Sequence, residues 1–417
     1  MRRFLFASLV FAAVLGWSAD AQARTIRVKS DAGFAKAERK LARTGGTIVL
    51  RPGLYRKLVV GPRSRRPLKI VGMRGVRVRS LIFAYTRHVS FGRARIGPIG
   101  SNALVQVYGS YDIELHDLLV SARRTPYSAS VLLASGRKIT IRRSNFQHCG
   151  DRVRREFVNC VTLYRWTHDV LIEDSYFHDC YGCDFVHGRF GSDLTLRGNR
   201  FERALPCSFG RYRCGHQDLV QLFAGRRLRV SGNRFGVYRE GGAQLYLTNN
   251  VDWATIVNNV FVGWDRRVPG YRARMGIVIG SNASRRLPHY AKVLNNTILT
   301  GWRRRDGYSG SIRMSSRYGG VPRWQRPVVA NNVIALLETA GRVCLASRQF
   351  INNIVVRGRT CSDNNILGPS GLDAWGRPRE GSVAIDGANR TLAPATDATG
   401  RPRRGMPDIG ALEYRGR

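Results

Sequence analysis

One short pattern returns along most of the chain, and it leaves few folds open. The segments KITIRRSNF, VLIEDSYF, LTLRGNRF, LRVSGNRF, ATIVNNVF, AKVLNNTI, PVVANNVI and FINNIVV follow the form apolar-x-apolar-x-x-Asn-x-Phe. They close on Phe146, Phe177, Phe201, Phe235, Phe261, Ile298, Ile334 and Val355, with weaker copies at Ile96 and Val120. Phe177 and Phe201 lie 24 residues apart, and the longer intervals carry insertions. Self-similarity at such a period marks a repeat architecture. Each unit reads as short strands with alternating apolar residues between Gly, Asn, Ser and Asp, without helical periodicity. Such a unit cannot bury its apolar face alone, so neighbours must stack at about 4.8 Å per rung. The asparagines Asn199, Asn233, Asn259, Asn296, Asn332 and Asn353 recur at one place in the unit. Identical amides stacked there can form a ladder, a structural role.

With these motifs the chain, from about Thr25 to Tyr414, resembles the right-handed parallel β-helix proteins of the pectate lyase-like superfamily, exported bacterial type. The expected fold is all-β: a right-handed parallel β-helix (solenoid) with a short N-terminal capping helix and a C-terminal cap. Phe34, Ala37 and Leu41 fall on one helical face between Asp31 and Arg43, followed by GGTIVLRPGLY as strand and turn. A helix over the first rung would protect an open edge. SVAIDGANR and DATGRPRRGMPDIGALEY are similar to a closing cassette, in which Asp386, Asp397 and Asp408 belong to turns before they belong to a metal site. The expected boundaries are a signal peptide at 1–23, N-terminal cap and first rungs at 24–90, β-helix at 91–367 and a capping segment at 368–417.

The opening MRRFLFASLVFAAVLGWSADAQA has two arginines, an apolar run from Phe4 to Trp17 and the small-x-small pattern Ala21-Gln22-Ala23. This reads as a secretory signal cut after Ala23, since the run falls short of the roughly 20 apolar residues a spanning helix needs. A secreted or periplasmic location is expected, with no transmembrane segment. The 8 cysteines all follow that site, and in an oxidising compartment an even count reads as disulfides. Cys207 with Cys214 and Cys344 with Cys361 can each close a loop. Cys149, Cys160, Cys180 and Cys183 cluster, and their pairing stays open. A redox or zinc role for Cys180-Tyr-Gly-Cys183 lacks a second Cys-x-x-Cys.

Lys+Arg number 69 against 28 Asp+Glu, a formal net charge of +41. A field that positive draws polyanions. Export and the absence of any DNA-binding signature argue against nucleic acid and for acidic polysaccharide or another anionic envelope polymer, bound by a monomer.

In DLVQLF, Val220 and Leu222 are spaced to point inward, which turns Gln221 and Phe223 outward. The matching outward pairs are Gln106 and Tyr108, Thr162 and Tyr164, His187 and Arg189, Gln244 and Tyr246, and Arg313 and Ser315. Aromatics and hydrogen-bonders on a flat sheet suit sugar rings and their hydroxyls. Insertions near Asp151–Glu156, Arg203–Gly215, Trp264–Arg274 and Trp302–Tyr308 precede these strands, carry many arginines and would wall one side of the strip. Asp184 and Asp218 share a place in successive units, 34 residues apart, with His216 just before the second. Stacked carboxylates repel, so three readings stand: a turn-capping pair taking amide hydrogen bonds, a calcium site, and a general acid/base pair. Calcium is the one candidate cofactor.

On a uronate polymer the economical reaction is β-elimination, which needs charge neutralisation, a base and a donor to the leaving oxygen. The strip offers His187, Arg189, Tyr164 and His216 as catalytic candidates, and Gln221, Phe223, Gln244, Tyr246 and Arg313 as substrate contacts. The resemblance allows arginine or lysine as base. No lysine occurs between Lys138 and Lys292, so Arg189 or His187 is the expected base. The chain departs from polygalacturonase-type hydrolases in having no Asp-Asp pair, and the acidic clusters of calcium-binding pectate lyases are not evident. Hydrolysis through Asp184 and Asp218 ranks second among enzymatic readings. A non-catalytic polymer-binding protein of the cell envelope is the alternative from a different class.

Overall fold

The structure is a computed structural model describing residues 24–62, 66–97, 103–122, 129–149, 159–164, 166–205, 208–209, 212–213, 218–237, 242–263, 275–280, 286–300, 310–337 and 340–416. The signal segment, Cys207, Cys214, His216, the insertions at 151–156, 264–274 and 302–308 and part of that at 203–215 lie outside those residues.

The described strands coil in one repeating order through three parallel sheets of 14, 13 and 10 strands. In one rung, His168–Glu173 belongs to sheet 1, Tyr176–Tyr181 to sheet 2 and Val186–Gly188 to sheet 3. The next repeats it with Ser192–Arg197, Arg200–Leu205 and Val220–Leu222. Each strand pairs in register with its equivalent one turn later, as in Val170↔Leu194↔Leu228. Alternation then sends every second side chain inside. The closing aromatics of the repeat stack along the axis: Phe146 on Phe177 at 4.5 Å between ring centroids, then Phe201, Phe235 and Phe261 at 5.0, 5.1 and 4.5 Å.

The asparagine ladder forms at the corner between sheets 1 and 2. Each side-chain Oδ1 accepts the backbone N–H and the side-chain N–H of the asparagine one rung earlier, from Asn199 through Asn233, Asn259, Asn296, Asn332 and Asn353 to Asn365. The preceding residue is left-handed at the turns from Asn199 through Asn353, with φ of 65° at Gly198, 66° at Gly232, 57° at Asn258 and 48° at Asn295. Glycine and asparagine tolerate that conformation best, which explains the recurring Gly-Asn and Asn-Asn pairs.

In earlier rungs the same corner uses charge. Arg143 donates to both carboxylate oxygens of Asp117 at 2.9 and 3.1 Å, and His116 Nδ1 lies 2.7 Å from it. The Arg143 hydrogen bonds hold the Asp117 carboxyl down at about 2 from 3.8. A depressed folded value adds stability above the unfolded pKa and loses it as pH falls through the folded one. Asp117 is about a third exposed and Arg143 nearly half, so the pair's worth is at most about 1 kcal/mol. Asp117→Asn should therefore cost that much at neutral pH and flatten the fall in stability between about pH 4 and pH 2, as read by denaturant unfolding across that range.

At the N-terminus, helix Asp31–Leu41 is capped by the Ser30 side chain and buries Phe34, Ala37 and Leu41 against the first rungs, as the periodicity predicts. The C-terminal segment forms a cap held by turns, and the structure adds where that cap lies. It runs back along the flank of the late rungs as a strap. Gly410 N–H donates to Asn331 O, Ala411 N–H to Thr297 Oγ1, and Asn258 Nδ2 to Thr396 O. Ala384, Ala388 and Ile409 pack on Val333 and Ile354, and Ala411 on Val260 and Val262. The reason is that sheets 1 and 2 carry apolar residues on their outer faces in the late rungs, which need a cover. Asp397 and Asp408 serve turns there: Asp397 accepts the amides of Thr399 and Arg401, and Asp408 those of Asp386 and Tyr414. The strap contains a duplicated turn, Asp373-Ala-Trp-Gly-Arg-Pro-Arg and Asp397-Ala-Thr-Gly-Arg-Pro-Arg, in which each aspartate accepts the same pair of amides.

Disulfides join Cys149 to Cys160, Cys180 to Cys183 and Cys344 to Cys361. The last pairing is the expected one, and the first two resolve the cluster that sequence left open. No helix among the described residues is long and apolar enough to cross a membrane.

Candidate functional site

Sheet 3 presents an outward column whose cross-strand partners run Gln106, Leu132, Thr162, His187, Gln221, Tyr246, Val278 and Arg313. The sequence alignment places Gln244 beside Gln221 and Tyr246 beside Phe223, and the observed pairing is shifted by two residues, with Gln221 opposite Tyr246. Parity is unchanged by such a slip, so Tyr246 still faces outward. Gln244 does not. It is fully buried at the start of its strand, where Nε2 donates to the carbonyls of Phe235, Gly236 and Val262 at 3.2, 2.7 and 3.0 Å. Phe235 O also accepts the Val262 backbone N–H at 2.8 Å, so the Gln244 amide adds hydrogen bonds at this corner and ties the rung of Phe235 and Gly236 to that of Val262. Gln244 is therefore a structural residue. Ser315 is also buried and caps a 3-10 turn.

Around His187 the column becomes a polar cluster. Gly188 follows it at φ 130°, and a Cβ there would sit 2.1 Å from Leu163 O, so only glycine turns the chain here. The turn brings Arg189 out to solvent. The Phe223 ring lies against both neighbours, 5.0 Å from the His187 ring centroid and 5.2 Å from the Arg189 guanidinium carbon. Cation–π attraction of this kind holds an arginine without neutralising it. Tyr164 stands on the adjacent rung, about half exposed.

One place upstream, Asp184 and Asp218 occur on successive rungs as expected, and both are buried. Asp184 Oδ1 accepts the backbone N–H of Asp218 at 2.9 Å, and Asp218 Oδ1 accepts that of Ala243. Asn159, which sequence reading passed over, begins the series: its Oδ1 accepts the N–H of Asp184 at 3.1 Å. This is a second ladder, built like the asparagine one, and it satisfies the amide-capping reading of the two aspartates. Among the described residues no three His, Cys, Asp or Glu side chains gather in a way that could hold a metal ion, so the calcium reading of Asp184 and Asp218 has no support from the geometry. The signal for Asn159 was present in FVNCVTLY, which aligns with GCDFVHGR at the same offset from the strand.

The disulfides frame this cluster. Cys149–Cys160 ends beside Asn159, and Cys180–Cys183 ends beside Asp184. The pairs thereby fix the entry to both strands that carry it.

No family model and no curated protein sequence matches the chain. Among solved structures it is similar to the PL6 family alginate lyase AlyGC, at a TM-score of 0.45 and 12% identity over 93% of this chain and 58% of that one. The Dettilon tailspike protein matches at 0.47 and 12% over 81% and 64%. PfbA, a surface adhesin of Streptococcus pneumoniae, matches at 0.39 and 11% over 73% and 87%. The chain is a right-handed parallel β-helix. The likeness is one of fold, and the β-helix spans less than two thirds of the alginate lyase and of the tailspike.

Proposed function

We propose that this β-helix is an exported protein that binds acidic polysaccharide along sheet 3 and cleaves it by β-elimination. The observation that carries the reading is the cluster of His187, Arg189 and Phe223 on an outward sheet face, with Tyr164 and Gln221 on the rungs to either side. Phe223 offers an aromatic surface to a sugar ring. Arg189, seated against the Phe223 ring, meets the uronate charge. The net charge of +41 supplies long-range attraction for such a polymer. Hydrolysis by Asp184 and Asp218 is disfavoured, since both carboxylates are buried and engaged by amides.

The test is the ultraviolet absorbance of unsaturated uronate while purified protein is incubated with alginate, pectate, chondroitin or hyaluronan, with calcium or with chelator. A rise with one polymer is expected. His187→Ala and Arg189→Ala should each lower that rate by about 100-fold or more while polymer binding is kept. Full activity in both variants would remove them from the mechanism. The non-catalytic envelope reading draws on the length of the outward column, which extends from Gln106 to Arg313, well beyond the cluster. Binding without absorbance change for any polymer would select it.

A further inference from the structure

Asn159 and His187 are joined by a contact whose direction can be worked out. The Asp184 backbone N–H can only donate, and it points at Asn159 Oδ1 from 3.1 Å. The amide oxygen is therefore on that side, and the Asn159 NH2 group faces the other way. His187 Nδ1 lies 2.9 Å from that NH2 nitrogen. An NH2 group donates, so Nδ1 must accept, and an accepting Nδ1 carries no proton. In the neutral ring the proton then sits on Nε2, which lies 4.0 Å from Asp184 Oδ2, beyond direct hydrogen-bond length.

We infer that Asn159 is a positioning residue that locks His187 in the Nε2–H tautomer, so that His187 offers the substrate a hydrogen-bond donor and does not serve as the proton-accepting base. No proton is transferred in that role; Nε2–H binds a substrate oxygen and keeps its hydrogen. With Arg189 kept charged against the uronate carboxylate, the proton acceptor is then Tyr164. The assignment of a substrate oxygen rests on the polysaccharide reading, whereas the tautomer does not. A ring locked by a second-layer amide also explains why asparagine, and not a third aspartate, heads the buried ladder. A carboxylate at that place would accept from Nδ1–H and reverse the tautomer.

The test is a long-range proton–nitrogen correlation spectrum of the whole chain labelled with nitrogen-15 histidine, recorded where the imidazole is neutral. His187 is identified among the 8 histidines by the signal lost in His187→Gln. The expected result is an unprotonated Nδ1 and a protonated Nε2. Asn159→Asp, of the same shape and still able to accept the Asp184 amide, should move the Nδ1 signal to the protonated position, and Asn159→Ala should give a mixture. A protonated Nδ1 in the native protein, or an Asn159→Asp spectrum unchanged from it, would overturn the inference. The native spectrum decides the tautomer even if a variant fails to fold. If no polymer is cleaved, the lyase reading fails while the spectrum still answers.

Discussion

Asn259→Ala is expected to destabilise the coil by at least about 3 kcal/mol. Its Oδ1 accepts from Asn233 N and Nδ2, both at 3.0 Å, and its Nδ2 donates to Val230 O, Val257 O and Asn296 Oδ1 at 2.8, 3.1 and 2.9 Å. All of this is buried. Alanine leaves several of these partners without a bond and without water, at about 1–3 kcal/mol each. Asn365→Ala, at the more exposed end of the ladder, should cost clearly less. Solenoid stability is passed between neighbours, so the defect should divide denaturant unfolding into separate steps on either side of the rung. A value within about 1 kcal/mol of the native protein would mean that the sheets alone hold the turn.

The second large effect concerns the strap. Arg403 is almost fully buried, pairing with the equally buried Glu413 and donating to Asn258 Oδ1 and Gly410 O at 2.9 Å. It thus ties strap to coil. Removing one partner of a buried pair leaves an uncompensated charge and costs about 3–5 kcal/mol. Arg403→Ala should release residues 368–416 to limited proteolysis while the coil stays resistant, and should expose the apolar outer surface around Val260 and Val333. Arg404→Ala, on an exposed neighbour, should stay within about 0.5 kcal/mol of native. Equal protease resistance in the two variants would show that apolar contact alone secures the strap.

Both effects depend on features that were unequally visible in the chain. The asparagines repeat at one position, and stacking identical rungs leaves them only one arrangement. The strap is a single passage without a repeat. Its turns were readable from Asp-x-x-Gly-Arg-Pro, yet where it lies depends on which outer faces remain apolar. The same contrast holds on sheet 3. Gln221, Phe223, Tyr246 and Arg313 are outward as their parity requires, whereas Gln244, of the same parity, is buried where its amide ties two rungs at a corner. Asp184 and Asp218 were correctly paired, but only hydrogen-bond directions showed that they are ladder members headed by Asn159.

The sequence by itself determined the coil, because a period of strands that cannot bury their faces alone has to stack, and stacking repeats every local choice at each rung. Tertiary structure decided the register at Tyr246, the path of the strap, the cysteine pairs at the site and the proton position on His187. Each of these depends on which group from a distant part of the chain supplies the missing partner, and spacing along one strand carries no record of that.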